Sequence, residues 1–170
     1  ELSSRGSGAL KYYKEYHPDA EYFSGESVWN AEVEYDIALP CATQNEIDEE
    51  MALNLVNNCG VKAVFEGANM PSTDAAIKVY KENDVLYGLG KAANAGGVAV
   101  SALEMAQNSQ REQWTFEEVD ERLQNIMKDI YTLCSETAEK YVGDKTNLQA
   151  GANIAGFAEV ANAMMVLGLV

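Results

Sequence analysis

The residues in this chain best suited to holding a small polar molecule lie between Gly88 and Ser101, a stretch that reads GLGKAANAGGVAVS. Asn94, Val98 and Ser101 are spaced i, i+4 and i+7, so on a helix starting near Asn94 they share one face that offers an amide, an apolar wall and a hydroxyl. Gly96 and Gly97 lie beside that stripe with no side chain to obstruct a ligand. The same spacing also suits an Ala/Gly-rich helix packed tightly against a sheet, with Asn94 as its N-cap. Gly88, Gly90 and Ala93 satisfy G-x-G-x-x-A after an expected strand, which is how a dinucleotide phosphate loop begins. That fingerprint wants an acidic residue about 20 residues on, at a strand end. Asn108-Ser109-Gln110-Arg111 falls there instead, in a helix-to-loop region.

Two further loops carry small and amide-bearing residues. Pro40-Cys41-Ala42-Thr43-Gln44-Asn45 follows one expected strand and Gly67-Ala68-Asn69-Met70-Pro71 follows another. At the carboxyl ends of parallel strands such loops contact a nucleotide through backbone and side-chain hydrogen bonds, although plain turn and cap chemistry uses the same residues. Cys41 has no histidine nearby to activate it as a nucleophile. The single histidine, His17, sits beside Pro18 in a polar turn, which argues against Ser-His-Asp triads and Cys/His zinc sites. No metal site is expected.

These residues must be positioned by regular elements, and the hydrophobic pattern supplies them. Leu10, Tyr13, Lys14 and Tyr16 suggest a short helix over Gly8–Tyr16, ended by His17-Pro18. Glu32 to Pro40 alternates and then turns apolar, as a strand entering a buried sheet does. Thr43-x-x-Glu46 has capping-box spacing, which predicts a helix from about Asn45 to Asn58 with Met51, Leu55 and Val56 on its apolar face. Lys62–Glu66 is a second strand, Pro71-Ser72-Thr73 starts a helix carrying Ala76, Ile77 and Tyr80, and Val85–Tyr87 is a third strand. Strands alternating with helices of this length imply parallel α/β units, with their strand ends and any ligand on one edge.

After Gly97 the strands stop. Thr115-x-x-Glu118 is another capping box, and Val119, Leu123, Ile126, Ile130, Leu133 and Cys134 step by three or four through Tyr141, so a long amphipathic helix follows. Thr146-Asn147-Leu148-Gln149 caps a last helix to about Gly168. Between Leu148 and Val170 only Glu159 is charged, which raises a membrane span. The abundance of Ala and Gly, with Asn153 and Asn162 interspersed, fits close packing in a soluble protein better.

Composition narrows the function classes. The 170 residues hold 12 Lys+Arg against 27 Asp+Glu, a net charge of −15, and 47% hydrophobic residues, which supply a real core. Such a charge repels phosphate backbones and anionic lipid, and no basic patch offsets it, so no nucleic-acid or membrane partner is expected. Three widely spaced cysteines suit reduced thiols in a cytoplasmic protein. The chain opens Glu1-Leu2-Ser3-Ser4 with neither an initiator Met nor a signal-like segment, and reads as a piece that begins mid-protein.

Four motifs carry a resemblance to a known family. LPCATQNE over 39–46, EGANMP over 66–71, GKAANAGGVAVS over 90–101 with Glu104-Met105, and AGANIAGF over 150–157 resemble the C-terminal part of hexameric glutamate dehydrogenases of the small-subunit type. The resemblance runs from about Arg5 to Val170. It implies an α/β fold in which a partial Rossmann-like parallel sheet is followed by long C-terminal helices. Residues 1–110 would be the C-terminal part of an NAD(P)-binding domain, and residues 111–170 a helical segment packing back toward a substrate domain outside this chain. It further implies that Ser101 hydrogen-bonds the glutamate side-chain carboxylate, that Val98 lines the same pocket, and that Asn94 faces both nicotinamide and substrate. Ala42 and Thr43, with Gln44 of the same loop, and Asn69 would approach the cofactor, NADP or NAD. The implied activity is reversible oxidative deamination of L-glutamate to 2-oxoglutarate and ammonia in a cytoplasmic homo-hexamer. No catalytic acid or base is assigned here, because the family's lysines and aspartate for that work belong to its N-terminal domain. Branched-chain or aromatic amino-acid dehydrogenases of the same architecture, and a non-catalytic α/β interaction module, remain as alternatives.

Overall fold

A computed structural model describes residues 9–168. The chain divides into two compact units, Glu1–Ala31 and Glu32–Val170. In the first, Ala9–Glu15 and Val28–Asn30 are 3-10 helices, and the Ser27 side chain caps the second by accepting from Trp29 N–H at 3.3 Å. The helix expected over Gly8–Tyr16 is thus a tighter and shorter turn, with Gly8 outside the described residues. A seven-residue segment with no buried face has little beyond its own hydrogen bonds to hold an α-helix. His17 stacks on Tyr13 with ring centroids 4.5 Å apart.

The second unit is built on a three-stranded parallel sheet in the order β1 (Ile37–Ala38), β2 (Ala63–Phe65) and β3 (Leu86–Gly88). Ala38 pairs with Val64, and Val64 with Tyr87. Between the strands run α1 (Glu49–Asn57) and α2 (Asp74–Glu82), which pack against each other. Their core includes Ile47, Ala52, Leu55, Val64, Ala76 and Tyr80, all essentially without solvent contact. Thr73 caps α2 by accepting from Ala76 N–H at 3.2 Å, as its place after Pro71 suggests.

Two expectations change here. The first strand shrinks to Ile37–Ala38, because β2 lies on one side of it only and Ile37 is 55% exposed. The Thr43-x-x-Glu46 capping box does not form. Asp48 caps α1 instead, accepting from Met51 N–H at 3.0 Å. The chain turns at Gln44-Asn45 and stays non-helical through Ile47, which bridges to Ser72 in parallel and is fully buried, and burying that side chain outweighs starting the helix earlier.

After β3 come α3 (Gly90–Ala93), α4 (Ala95–Gln110), α5 (Phe116–Val142) and α6 (Leu148–Leu167). The Thr115 capping box is present in both directions, with Glu118 Oε2 accepting from Thr115 N–H at 2.7 Å, and α5 ends at Gly143 in the left-handed region. Asn147 caps α6, which packs along α5 and reaches β3. Gly151 makes that packing possible, since a Cβ there would lie 1.9 Å from Cys134 O. The far half of α6 keeps Phe157, Val160, Met165, Val166 and Leu167 exposed. By length and composition alone α6 could cross a membrane.

Candidate functional site

A parallel sheet brings the carboxyl ends of its strands to one edge, and here three loops meet there. They enclose an open cleft of about 580 Å³. The loop after β1 contributes Cys41, Ala42 and Gln44, the loop after β2 contributes Gly67, Ala68 and Asn69, and the start of α4 contributes Asn94 and Val98. No lining residue is charged, so the cleft suits an uncharged polar ligand or the neutral part of a larger one.

The loops are stitched together by backbone groups. Gly67 and Ala68 N–H both donate to Pro40 O, at 2.9 and 3.0 Å. Gly67 lets the loops approach this closely, since a Cβ there would lie 2.4 Å from Cys41 Sγ. Glu46, the residue read as half of a capping box, accepts from Ala42 N–H through Oε1 at 3.0 Å and so pins the first loop. Asn45 N–H donates to Met70 O at 2.9 Å, and both residues are left-handed, with φ of 55° and 50°.

Asn94 occupies the N-cap position of α4, but its side chain caps nothing. Its Nδ2 donates to Asn69 Oδ1 at 2.7 Å and to Ala68 O at 3.4 Å, joining the second loop to the third. Of the two readings of this helix, Asn94 as a simple cap is therefore displaced. Val98, 71% exposed, stands one turn further along and faces the same cleft. Ser101 is exposed and lies beyond the cleft lining, with its hydroxyl donated to Gly97 O at 3.1 Å. Thr43 is exposed and also stands outside the lining. The two glycines expected beside the ligand separate. A Cβ on Gly97 would meet nothing, whereas one on Gly96 would press on Leu123 and Met127 of α5 at 3.2 and 3.3 Å, so Gly96 serves helix packing.

One polar residue that sequence reasoning placed only at a strand end is buried beside this cleft, in the wall of an adjoining pocket that shares Asn69 with it. Glu66 is 3% exposed; it accepts from Gly90 N–H through Oε2 at 2.8 Å and from Ser72 N–H through Oε1 at 3.3 Å. This bears on the G-x-G-x-x-A match, because the Gly90 N–H that a phosphate would need is already held by a carboxylate, whose charge repels phosphate. The phenol of Tyr87, buried near Glu66, is pushed far above the ordinary tyrosine range, by desolvation first and by the carboxylate second. Desolvation likewise pushes Tyr80 up to about 12. The three cysteines are free thiols; Cys41 is exposed, Cys59 and Cys134 are buried, and burial raises the Cys134 thiol. Lys91, between the two glycines of the match and Asn94, hydrogen-bonds through Nζ to Asn153 Oδ1 on α6.

The family model for Glutamate/Leucine/Phenylalanine/Valine dehydrogenase matches residues 1–168. The NADP-specific glutamate dehydrogenase of Giardia intestinalis is 49% identical over 170 residues, which cover 99% of this chain and 37% of that protein. That of Escherichia coli is 50% identical over 168 residues, covering 99% and 36%. Among solved structures, the glutamate dehydrogenase of Plasmodium falciparum superposes with a TM-score of 0.90 at 49% identity, covering 98% of this chain and 35% of that one. The chain thus spans a little over a third of the length of the relatives it matches. Agreement of sequence and backbone over nearly all of its own length nevertheless means that the chain belongs to the glutamate/leucine/phenylalanine/valine dehydrogenase family.

Proposed function

We propose that the complete subunit is a glutamate dehydrogenase, which catalyses the NADP- or NAD-dependent, reversible oxidative deamination of L-glutamate to 2-oxoglutarate and ammonia, and that this chain is its C-terminal part. In this reading residues 1–110 complete a Rossmann-like nucleotide domain, residues 111–170 pack back toward the substrate domain, and the protein is a cytoplasmic homo-hexamer. NADP is favoured over NAD by the names of the relatives.

The observation that carries the reading is the convergence of Ala42, Gln44, Asn69, Asn94 and Val98 on one uncharged cleft at the strand ends. Three carboxamides beside small residues fit the carboxamide and hydroxyls of a nicotinamide riboside, which need both donors and acceptors. When bound, the nicotinamide supplies the acceptor for the hydride leaving the amino-acid Cα. The work of this chain is to bind and orient. Asn94, steadied by Asn69, faces nicotinamide and substrate, Val98 forms an apolar wall, and Ala42, Thr43 and Gln44 bound the nucleotide side. Ser101 turns its hydroxyl from Gly97 O to the side-chain carboxylate of glutamate. The groups that move protons belong to the remainder of the subunit.

The test is turnover by the complete subunit. L-Glutamate-dependent reduction of NADP is expected, and its absence, with leucine or phenylalanine accepted instead, would overturn the substrate assignment. Ser101→Val is expected to cut the preference for glutamate over norvaline by roughly tenfold or more, because an unpaired buried polar group costs about 1–3 kcal/mol. Unchanged selectivity would remove Ser101 from the site.

A further inference from the structure

Glu66 directly follows β2, beside the cleft and not among its lining residues. Its carboxylate joins two pieces of chain, accepting from Gly90 N–H at 2.8 Å and from Ser72 N–H at 3.3 Å. Ser72 follows Asn69 by three residues and Gly90 precedes Asn94 by four, so the two backbone donors root the two segments that carry the Asn69–Asn94 hydrogen bond. The roots touch, since a Cβ on Gly90 would lie 2.9 Å from Ala68 O and 3.4 Å from Glu66 Oε2.

Burying a carboxylate is costly unless its lone pairs are answered, and here two backbone donors answer them. The requirement is specific. An ionised carboxylate has only acceptor sites, whereas a carboxamide of the same size must turn its NH₂ toward one of these donors.

We infer that Glu66 is a positioning residue for nucleotide binding: by holding the Gly90 and Ser72 backbones it fixes Asn69 against Asn94, and through that pair sets the affinity of the cleft for a nicotinamide nucleotide. This inference rests on the cleft being the nucleotide site proposed above.

The test uses the complete subunit carrying Glu66→Gln, with Glu66→Asp as a second variant that keeps the carboxylate and shortens its reach to both donors. Two quantities are measured below the unfolding temperature: hydrogen–deuterium exchange over 67–72 and 89–94, and the dissociation constant for NADPH with Asn94 intact and in an Asn94→Ala background. E66Q is expected to speed exchange in both segments, weaken NADPH binding about tenfold, and lose most of that effect once Asn94 is alanine, as coupled neighbours do. E66D is expected to do the same at about threefold. It decides the matter should E66Q fail to fold. A merely structural role would lower the unfolding temperature and weaken binding equally in both backgrounds; that additivity, or unchanged exchange, overturns the inference. If the unaltered subunit binds no NADPH, the proposed function fails, and the exchange result alone decides whether Glu66 positions the two segments.

Discussion

Gly151 and Gly156 stand five residues apart on α6, and alanine at each is expected to move stability in opposite directions. At Gly151 an added Cβ would lie 1.9 Å from Cys134 O, 2.8 Å from Cys134 C and 3.1 Å from Ala138 Cβ. The nearest obstacle is the backbone of α5, which cannot rotate aside as a side chain can. Restoring an ordinary carbon–oxygen contact needs α6 to retreat by about 1.5 Å, which forfeits much of the dispersion along the seam. Overpacking of this kind costs about 1–3 kcal/mol, and an unyielding backbone places Gly151→Ala near the top, about 3 kcal/mol. At Gly156 a Cβ would meet nothing within 4 Å. Gly156→Ala therefore gains only the helix propensity of alanine over glycine, about 0.8–1 kcal/mol. For a chain of this size, at roughly 2–4 °C per kcal/mol, that is a fall of about 6–12 °C for the first variant and a rise of about 2–4 °C for the second. Urea unfolding followed by circular dichroism, with the parent chain alongside, gives both values. Equal changes, or a stabilised Gly151→Ala, would refute the close approach of α5 and α6.

Two further outcomes are expected. Tyr80 is raised to about 12 by burial against an ordinary value of 10.0, so the folded chain keeps a proton that the unfolded chain releases. The stability due to this group is therefore complete below pH 10 and lost as pH rises toward 12, about 3 kcal/mol in all. Denaturant midpoints measured across that window should fall, and Tyr80→Phe should flatten the fall. In the cleft, a thiol reagent should modify Cys41 well before Cys59 or Cys134, which are buried, and NADPH should slow the reaction at Cys41 in the complete subunit. Modification of Cys41 at the same rate with and without nucleotide would place the ligand elsewhere.

Local signals proved legible where local physics decides the structure. The α5 helix is announced by Thr115, Glu118 and an unbroken three-to-four step, and forms with its capping box intact. The cleft amides were legible because Gln44, Asn69 and Asn94 follow strands, and a parallel sheet sends strand ends to one edge. The same reasoning failed at Thr43, where a box of the right spacing lost to the burial of Ile47 against Ser72, a contact 25 residues away in sequence. Glu66 was the larger omission. A charge at a strand end reads as solvated, and only the backbone N–H groups of Ser72 and Gly90, 6 and 24 residues on, show why it is buried. Ser101 was expected on one helix face with Asn94 and Val98, yet it stands outside the lining of the cleft that those two residues share.

The hydrogen bond from Asn45 to Met70 links two left-handed, non-glycine residues at the rim of the pocket that adjoins the cleft at Asn69. Each such conformation costs about 1 kcal/mol or more, and methionine lacks the short polar side chain that eases it for asparagine. The rim is therefore a place where the chain holds a shape that it would not choose locally, kept by its neighbours. Directed evolution toward heat resistance alone would be drawn to glycine at position 70. It would gain a hardier protein whose opening is free to wander, so a screen at this rim has to score ligand capture and melting temperature together.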